Sequence, residues 1–397
     1  MTTAETMTAD LQSERVAAID NSGWGRSFTF YQPRNAAFWV YLFLVASGVL
    51  TFFSMLASTS GAYGRAIAVA VVSFTLYGAV FWWFTRHIDR YARQPIKLIV
   101  VAFLWGGFAA TWMMAASAND ALRSIYAKAV GQAWSLDWGA GLAAPFTEEI
   151  AKGIGLLLLI ALAPRLVRTA FDGFILGAFL GLGFQIIEDI AYALNSAGSQ
   201  FGANPVEAAM STVWLRMATG ITAHILYSAI FCAGLVYLLG RPGEPRRVGR
   251  GLALMASAMV LHGVWDSSAA LARGNGAVIL VIIVVAILVA LYLVVRVFAM
   301  TVPREREYLR QIMAPEVANG VITDAELEAM CGDRKARRAF RKAPANHRER
   351  RRAGFVLEAA GDLADELAGS RGSDTGRVEF ARSEVRRIRA GVPSMNP

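Results

Sequence analysis

The sequence predicts an all-α polytopic membrane protein: about eight transmembrane helices, four of them forming a polar core, followed by a cytoplasmic helical tail. Three observations carry that expectation. Of the 397 residues, 55% are apolar or aromatic and only 17% are charged, against about 25% charged in an ordinary soluble domain. The mean hydropathy is +0.43. Residues 301–397 hold 19 of the 39 Lys and Arg and 15 of the 30 Asp and Glu, so the preceding 300 residues are poor in charge, as a bilayer requires. These numbers exclude a disordered chain, a coiled coil and a disulfide scaffold. With Cys232 and Cys331 alone, no disulfide framework and no cysteine metal site can form.

Residues 1–35 read as a polar cytoplasmic arm of mixed charge, without the basic start, short apolar run and cleavage site of a signal peptide. Insertion is then expected to start at the first apolar span. A helix needs about 20 apolar residues to cross the hydrocarbon layer. Eight windows provide them: 36–56, 66–85, 98–116, 141–162, 171–196, 214–239, 249–271 and 276–295. In lipid the backbone must satisfy its own polar groups, so these are helices. Thirteen Lys and Arg fall in the loops on one side and four on the other, which places both termini in the cytoplasm. The stretch 117–138 suits a short amphipathic helix at the outer surface, anchored by Trp134 and Trp138. The chain thus divides into an arm (1–35), a transmembrane domain (36–300, with its core at 140–271) and a basic tail (301–397). In the tail, Thr323 and Glu326 form a capping-box pair and residues 346–369 have helical apolar spacing. The run Arg348, Arg350, Arg351, Arg352 reads as a solvated or lipid-headgroup face. No nucleic acid partner is expected.

Charge inside the membrane gathers on four spans. The fourth carries Glu148, Glu149 and Lys152; the fifth Glu188, Asp189 and Tyr192; the sixth His224 and, near its start, Arg216; the seventh His262 and Asp266. Each charge facing lipid at a helix centre costs on the order of 2.5–3.5 kcal/mol, so these groups must face one another or water. Glu148, Glu188, His224 and His262 lie seven to ten residues from the outer ends of their spans, roughly 10–15 Å deep. Four helices therefore deliver polar groups to one layer. Glu148 with Lys152, Glu188 with Tyr192, and His262 with Asp266 are i,i+4 pairs that share a helix face. Lys152 is expected to hold Glu148 ionised, leaving Glu149 free to act. Asp266 is expected to take the second ring nitrogen of His262. Two imidazoles with one or two carboxylates suit Zn²⁺ with an open water position.

Other singular residues have plainer readings. His87 and His347 are expected at the surface, Cys232 in apolar packing, and Arg216 as an anchor or as the partner of a nearby acid. Gly173, Gly177 and Gly181 mark close helix packing.

The string Glu148-Glu149-x-x-Lys152, the Gly183 to Tyr192 segment GFQIIEDIAY, the span from His224 to Gly234 and the element His262-x-x-Trp265-Asp266 resemble the four motifs of the PrsW-type intramembrane proteases. That family is related to the CAAX prenyl protease and bacteriocin-processing membrane protease group. The likeness covers residues 140–270. Asp189 and Asp266 stand where Asn is common in the family. The resemblance implies a protease acting on a membrane-anchored protein near the outer face of the bilayer, in the best-known role as the first cut in an anti-sigma factor. On this reading Glu148, Glu149, Glu188, His224 and His262 are catalytic, with Lys152, Asp189, Tyr192 and Asp266 in support. A water is activated by Glu149 or by Zn²⁺ held by Glu188, His224 and His262. The competing classes are a proton- or cation-coupled transporter, for which intramembrane acids are also expected, and a haem protein using His224 and His262.

Overall fold

The computed structural model describes residues 3–220 and 223–391. Every regular element among them is a helix. Two compact units form: Phe28–Arg90 with Gln94–Met300, and Met1–Ser27 with Tyr91–Arg93 and Thr301–Pro397.

The first unit is the apolar one. Its long helix α2 (Ala36–Ile88) leaves helical geometry at Tyr63, where φ is −124° and ψ is 21°. Tyr41 Oη donates to Val101 O at 2.8 Å, and the Trp82 ring meets the Phe103 edge at 5.6 Å. Residues that far apart along one straight helix cannot both touch the same two turns of α3 (Ile96–Leu104). The helix therefore doubles back at Tyr63, and the expected windows 36–56 and 66–85 are its two legs.

From α3 the chain runs through a π-helical stretch, Trp105–Ala115, into α4 (Ala116–Ala129). The stretch 117–138, expected to carry a short amphipathic helix, holds α4 and the first turns of α5. A break at Gly131, whose φ of +126° suits glycine, lets α5 (Gln132–Leu162) start well before the expected residue 141. Next come α6 (Ala170–Ala197), opened by a capping box between Thr169 and Asp172, then α7 (Pro205–Thr219) and α8 (His224–Leu239). The expected window 214–239 is thereby split into two helices bent by 43°. The unit closes with α9 (Val248–Asp266), the short α10 (Ser268–Leu271) and most of α11 (Gly276–Ala318).

Five of the helical segments are long and apolar enough to cross a membrane, and the bent pair α7–α8 makes a sixth. This is a multi-pass membrane architecture. Helix α5 falls outside that set because Glu148, Glu149 and Lys152 lie at its middle. Helix α6 is the axis: its most apolar window is wholly buried, as expected of a helix that is apolar all round.

The second unit has its own core, built from Ile19, from Leu309, Ile312 and Met313 at the end of α11, and from Leu357, Leu363 and Val378. Helix α1 (Thr3–Ser22) belongs to this core, whereas the sequence reads as an unattached arm. The tail helices are α12 (Asp324–Cys331), α13 (Arg334–Lys342), α14 (His347–Gly369) and α15 (Gly376–Ala390). The Thr323–Glu326 capping box opens α12, and Asn346 caps α14 by accepting from the Glu349 N–H. Glu316, fully buried, accepts from Arg15 at 2.8 Å and from Arg382 at 2.7 Å. Burial depresses the Arg15 pKa, while the hydrogen bonds to Glu316 raise that of Arg382.

Candidate active site

Small residues bring the polar helices together. The glycines at 173, 177 and 181 of α6 repeat every four residues, as do Cys232, Ser228 and His224 on α8. A Cβ at Gly181 would lie 2.1 Å from His224 O, one at Gly177 2.4 Å from Ser228 O, and one at Gly173 2.7 Å from Cys232 O. With hydrogen in its place, the α8 backbone seats directly on α6, and His224 lands beside Glu188. On the other side, Pro145 lacks the N–H that would bond to Gly141 O inside α5. A Cβ on Gly263 of α9 would lie 2.9 Å from that carbonyl. This close approach sets His262 against Glu148 and Glu149.

The cluster has a definite order. Glu148 Oε2 lies 3.6 Å from His224 Nδ1 and 3.6 Å from His262 Nε2. The outer nitrogens of both rings meet carboxylates: His224 Nε2 is 3.0 Å from Glu188 Oε2, and His262 Nδ1 is 3.3 Å from Glu149 Oε1. Asp266 Oδ2 lies 3.4 Å from His262 Nε2. The Lys152 ammonium is 2.7 Å from Glu149 Oε1, 3.1 Å from His224 Nδ1 and 3.8 Å from Glu148 Oε2, over the Phe184 ring. Arg216 holds Glu188 at 2.8 Å and Asp189 at 2.5 Å, and stacks on Tyr192. Beside the cluster lies a cavity of about 110 Å³, walled by Glu148, Glu188, His224, Tyr227, His262 and Asp266 among others.

The arrangement differs from the expected pairings in two respects. Asp266 meets His262 at Nε2, the nitrogen also turned toward Glu148, and the second ring nitrogen, Nδ1, meets Glu149 instead. Lys152 binds Glu149 more closely than Glu148, because i,i+3 residues share a helix face as well as i,i+4 residues do. All the expected site residues converge on one locus, with Asp189 and Tyr192 joined to it through Arg216. His87 and His347 are exposed, as expected.

Several participants escape a reading of the sequence. Asn119 of α4 donates to Glu148 Oε1 at 3.1 Å and accepts from the Thr147 hydroxyl. Ser228 donates to Glu149 Oε2 at 3.0 Å. Tyr227 stacks on His262. Gln185 donates to Gly220 O at 2.8 Å, serving a carbonyl at the end of α7. An uncharged polar residue in a span carries little insertion cost, and so stands out little against its apolar neighbours.

The donor set fits a divalent cation. One oxygen of Glu148 and a nitrogen from each of His224 and His262 lie within 4.8 Å of one another. Ligands on a tetrahedral Zn²⁺ with bonds of about 2.0–2.1 Å stand about 3.3 Å apart, close to the 3.6 Å measured here. Glu148 Oε2 is buried without a hydrogen-bond partner among the described residues. Five carboxylates at the locus (Glu148, Glu149, Glu188, Asp189 and Asp266) face two permanent cations, Lys152 and Arg216. A bound dication offsets most of that excess.

A bundle of membrane helices that encloses carboxylates and imidazoles around a cavity, with a donor set for a metal, has what an intramembrane hydrolase requires. The family described as PrsW family intramembrane metalloprotease matches residues 94–294, half of the chain. The chain belongs to that family, and it is a peptidase. No curated protein and no solved structure matches it. Membership in a protease family does not favour the transporter reading.

Proposed function

We propose that the chain hydrolyses a peptide bond of a membrane-anchored protein at this cluster, with Zn²⁺ held by Glu148, His224 and His262. The observation that carries the reading is the symmetry of the two imidazoles: each turns one nitrogen toward Glu148 Oε2 and the other toward a carboxylate. Carboxylates behind metal-bound histidines fix the tautomer and the ring orientation. The sequence reading gave Glu188 the ligand role and Glu149 that of the base. The distances favour the exchange of these roles.

When bound, the metal lowers the pKa of its water and polarises the substrate carbonyl. The rest falls to the side chains. Glu188 contacts His224 and Arg216 through Oε2. Its Oε1 thus remains for a water in the cavity that Glu188 lines, and Glu188 takes the proton as that water attacks. Glu149 has no accessible surface; Lys152, Ser228 and His262 surround it, and it orients His262. Asp189 and Tyr192 position Arg216, and Asp266 stands at the cavity wall beside His262.

The protein crosses the cytoplasmic membrane eight times on this proposal, with α2 crossing twice and α5 crossing despite its charges. Both termini are cytoplasmic, and the cut falls near the outer face. A membrane-spanning anti-sigma factor is a substrate of the right form. The test is cleavage of a tagged single-span reporter by purified chain in micelles. Wild type is expected to release product and E148Q and H262A none; full product release by both variants would overturn the proposal.

A further inference from the structure

One polar group on the cavity wall has no task in this scheme. Tyr227 lies one turn into α8, three residues after His224. Its ring stacks on the His262 imidazole, with centroids 5.4 Å apart and planes 24° apart. The residue is 1% exposed, and its Oη has no hydrogen-bond partner among the described residues. Tyr77 Oη and Trp112 Nε1 are likewise unpartnered, but neither residue lines this cavity. A buried hydroxyl without a partner carries a desolvation cost that phenylalanine, filling the same space, would avoid.

The donors already placed in the site on the same wall are committed to its carboxylates. Asn119 Nδ2 binds Glu148, Arg216 binds Glu188 and Asp189, and both outer imidazole nitrogens face carboxylates. Peptide hydrolysis needs a donor at the carbonyl oxygen, where negative charge develops. We propose that Tyr227 is a further catalytic residue, whose hydroxyl donates a hydrogen bond to the oxygen of the scissile carbonyl. As the water oxygen bonds to the carbonyl carbon, the C=O π pair moves onto that oxygen and the water proton passes to Glu188. When the pair returns, the C–N bond breaks and the nitrogen takes the proton from Glu188. Tyr227 keeps its own proton throughout. Its stack on His262 holds the phenol beside the cluster rather than leaving it to swing into lipid.

The assignment rests on the peptidase reading, and the experiment separates the two. Full-length wild type, Y227F and E148Q are assayed in micelles with the tagged single-span reporter, with a peptide phosphinate as a probe of the tetrahedral state. Y227F is expected to lose kcat by about 10²–10³-fold with KM and metal content unchanged, and to bind the phosphinate more weakly. Its thermal midpoint should equal or exceed that of wild type, because the deleted hydroxyl has no partner to lose. A wild-type kcat in Y227F, with E148Q inactive, would overturn the assignment. So would a drop in kcat accompanied by a lower midpoint and lost metal, the signature of a packing role. No cleavage of the reporter by wild type, or full cleavage by E148Q, would overturn the peptidase reading itself.

Discussion

Glu148 and Glu149 are neighbours in sequence with opposite surroundings. Glu149 is enclosed by an ammonium, a hydroxyl and an imidazole, whereas Glu148 is hydrogen-bonded only through Oε1, to Asn119, and leaves Oε2 between two rings, 3.8 Å from the Lys152 ammonium. Substituting the first should therefore disturb orientation, and the second the binding of metal itself. E148Q, H224A and H262A are expected to purify without stoichiometric zinc. E149Q is expected to retain it with affinity about 10–100-fold weaker, the usual effect of a lost outer partner. Asn119→Ala should fall in the same weaker class. Chelator competition measures all five, and equal affinity in E148Q and wild type would remove Glu148 from the ligand set. The sequence showed that the charges in this span must meet others. It did not show which of the two glutamates faces the imidazoles, because successive residues are rotated by about 100° and only the neighbouring helices fix the zero of that angle.

At the scale of the element, α6 and α8 form the joint on which the site depends. The matched four-residue repeats set His224 in register with Glu188, so a side chain in the ladder should act at a distance. Gly181→Val is expected to force α8 away, lowering both the thermal midpoint and peptidase activity. Gly61→Ala and Gly64→Ala, where an added Cβ meets nothing within 4 Å, should leave both unchanged. Thermal unfolding with an activity assay checks the series, and a neutral Gly181→Val would remove the packing argument. The glycine repeat was legible in the sequence, and so was its meaning as close packing. The doubling back of α2 at Tyr63 was visible only as two apolar windows, and the break between α7 and α8 was hidden inside one. Hydropathy reports the medium around a segment and is nearly silent on where a helix bends within it.

On the scale of the whole molecule, two compact units meet different physical demands. The second is held by an apolar core and by Glu316 between Arg15 and Arg382. Removing one partner from a buried ionic cluster costs about 3–5 kcal/mol. Glu316→Ala should therefore expose Thr301–Pro397 to limited proteolysis, while Glu307→Ala, at a half-exposed side chain, should not; equal resistance in both would show that the cluster adds nothing. The proposed orientation, with both termini inside, rests on the excess of basic residues in one set of loops. Green fluorescent protein fused at either end should fluoresce, and alkaline phosphatase fused there should be inactive; the reverse would invert the orientation and place the cut near the inner face. In the tail, the Thr323–Glu326 capping box and the helix over residues 346–369 were plain from local spacing. The place of α1 in its core was not, because that packing joins residues some 300 positions apart.

Lys152 carries a consequence for how such a protein is made. The ammonium reaches Glu149 and Glu148 from three and four positions along the same helix. Helix α5 thus brings its own counter-ion, so the segment leaving the ribosome carries one net negative charge at its middle rather than two, before α6, α8 or α9 has been synthesised. On the proposed topology, in which α5 crosses, its entry into the bilayer does not have to wait for metal or for the histidines. Biogenesis and chemistry are separated in time: the lysine carries the chain through the first, and the second begins once both imidazoles have arrived.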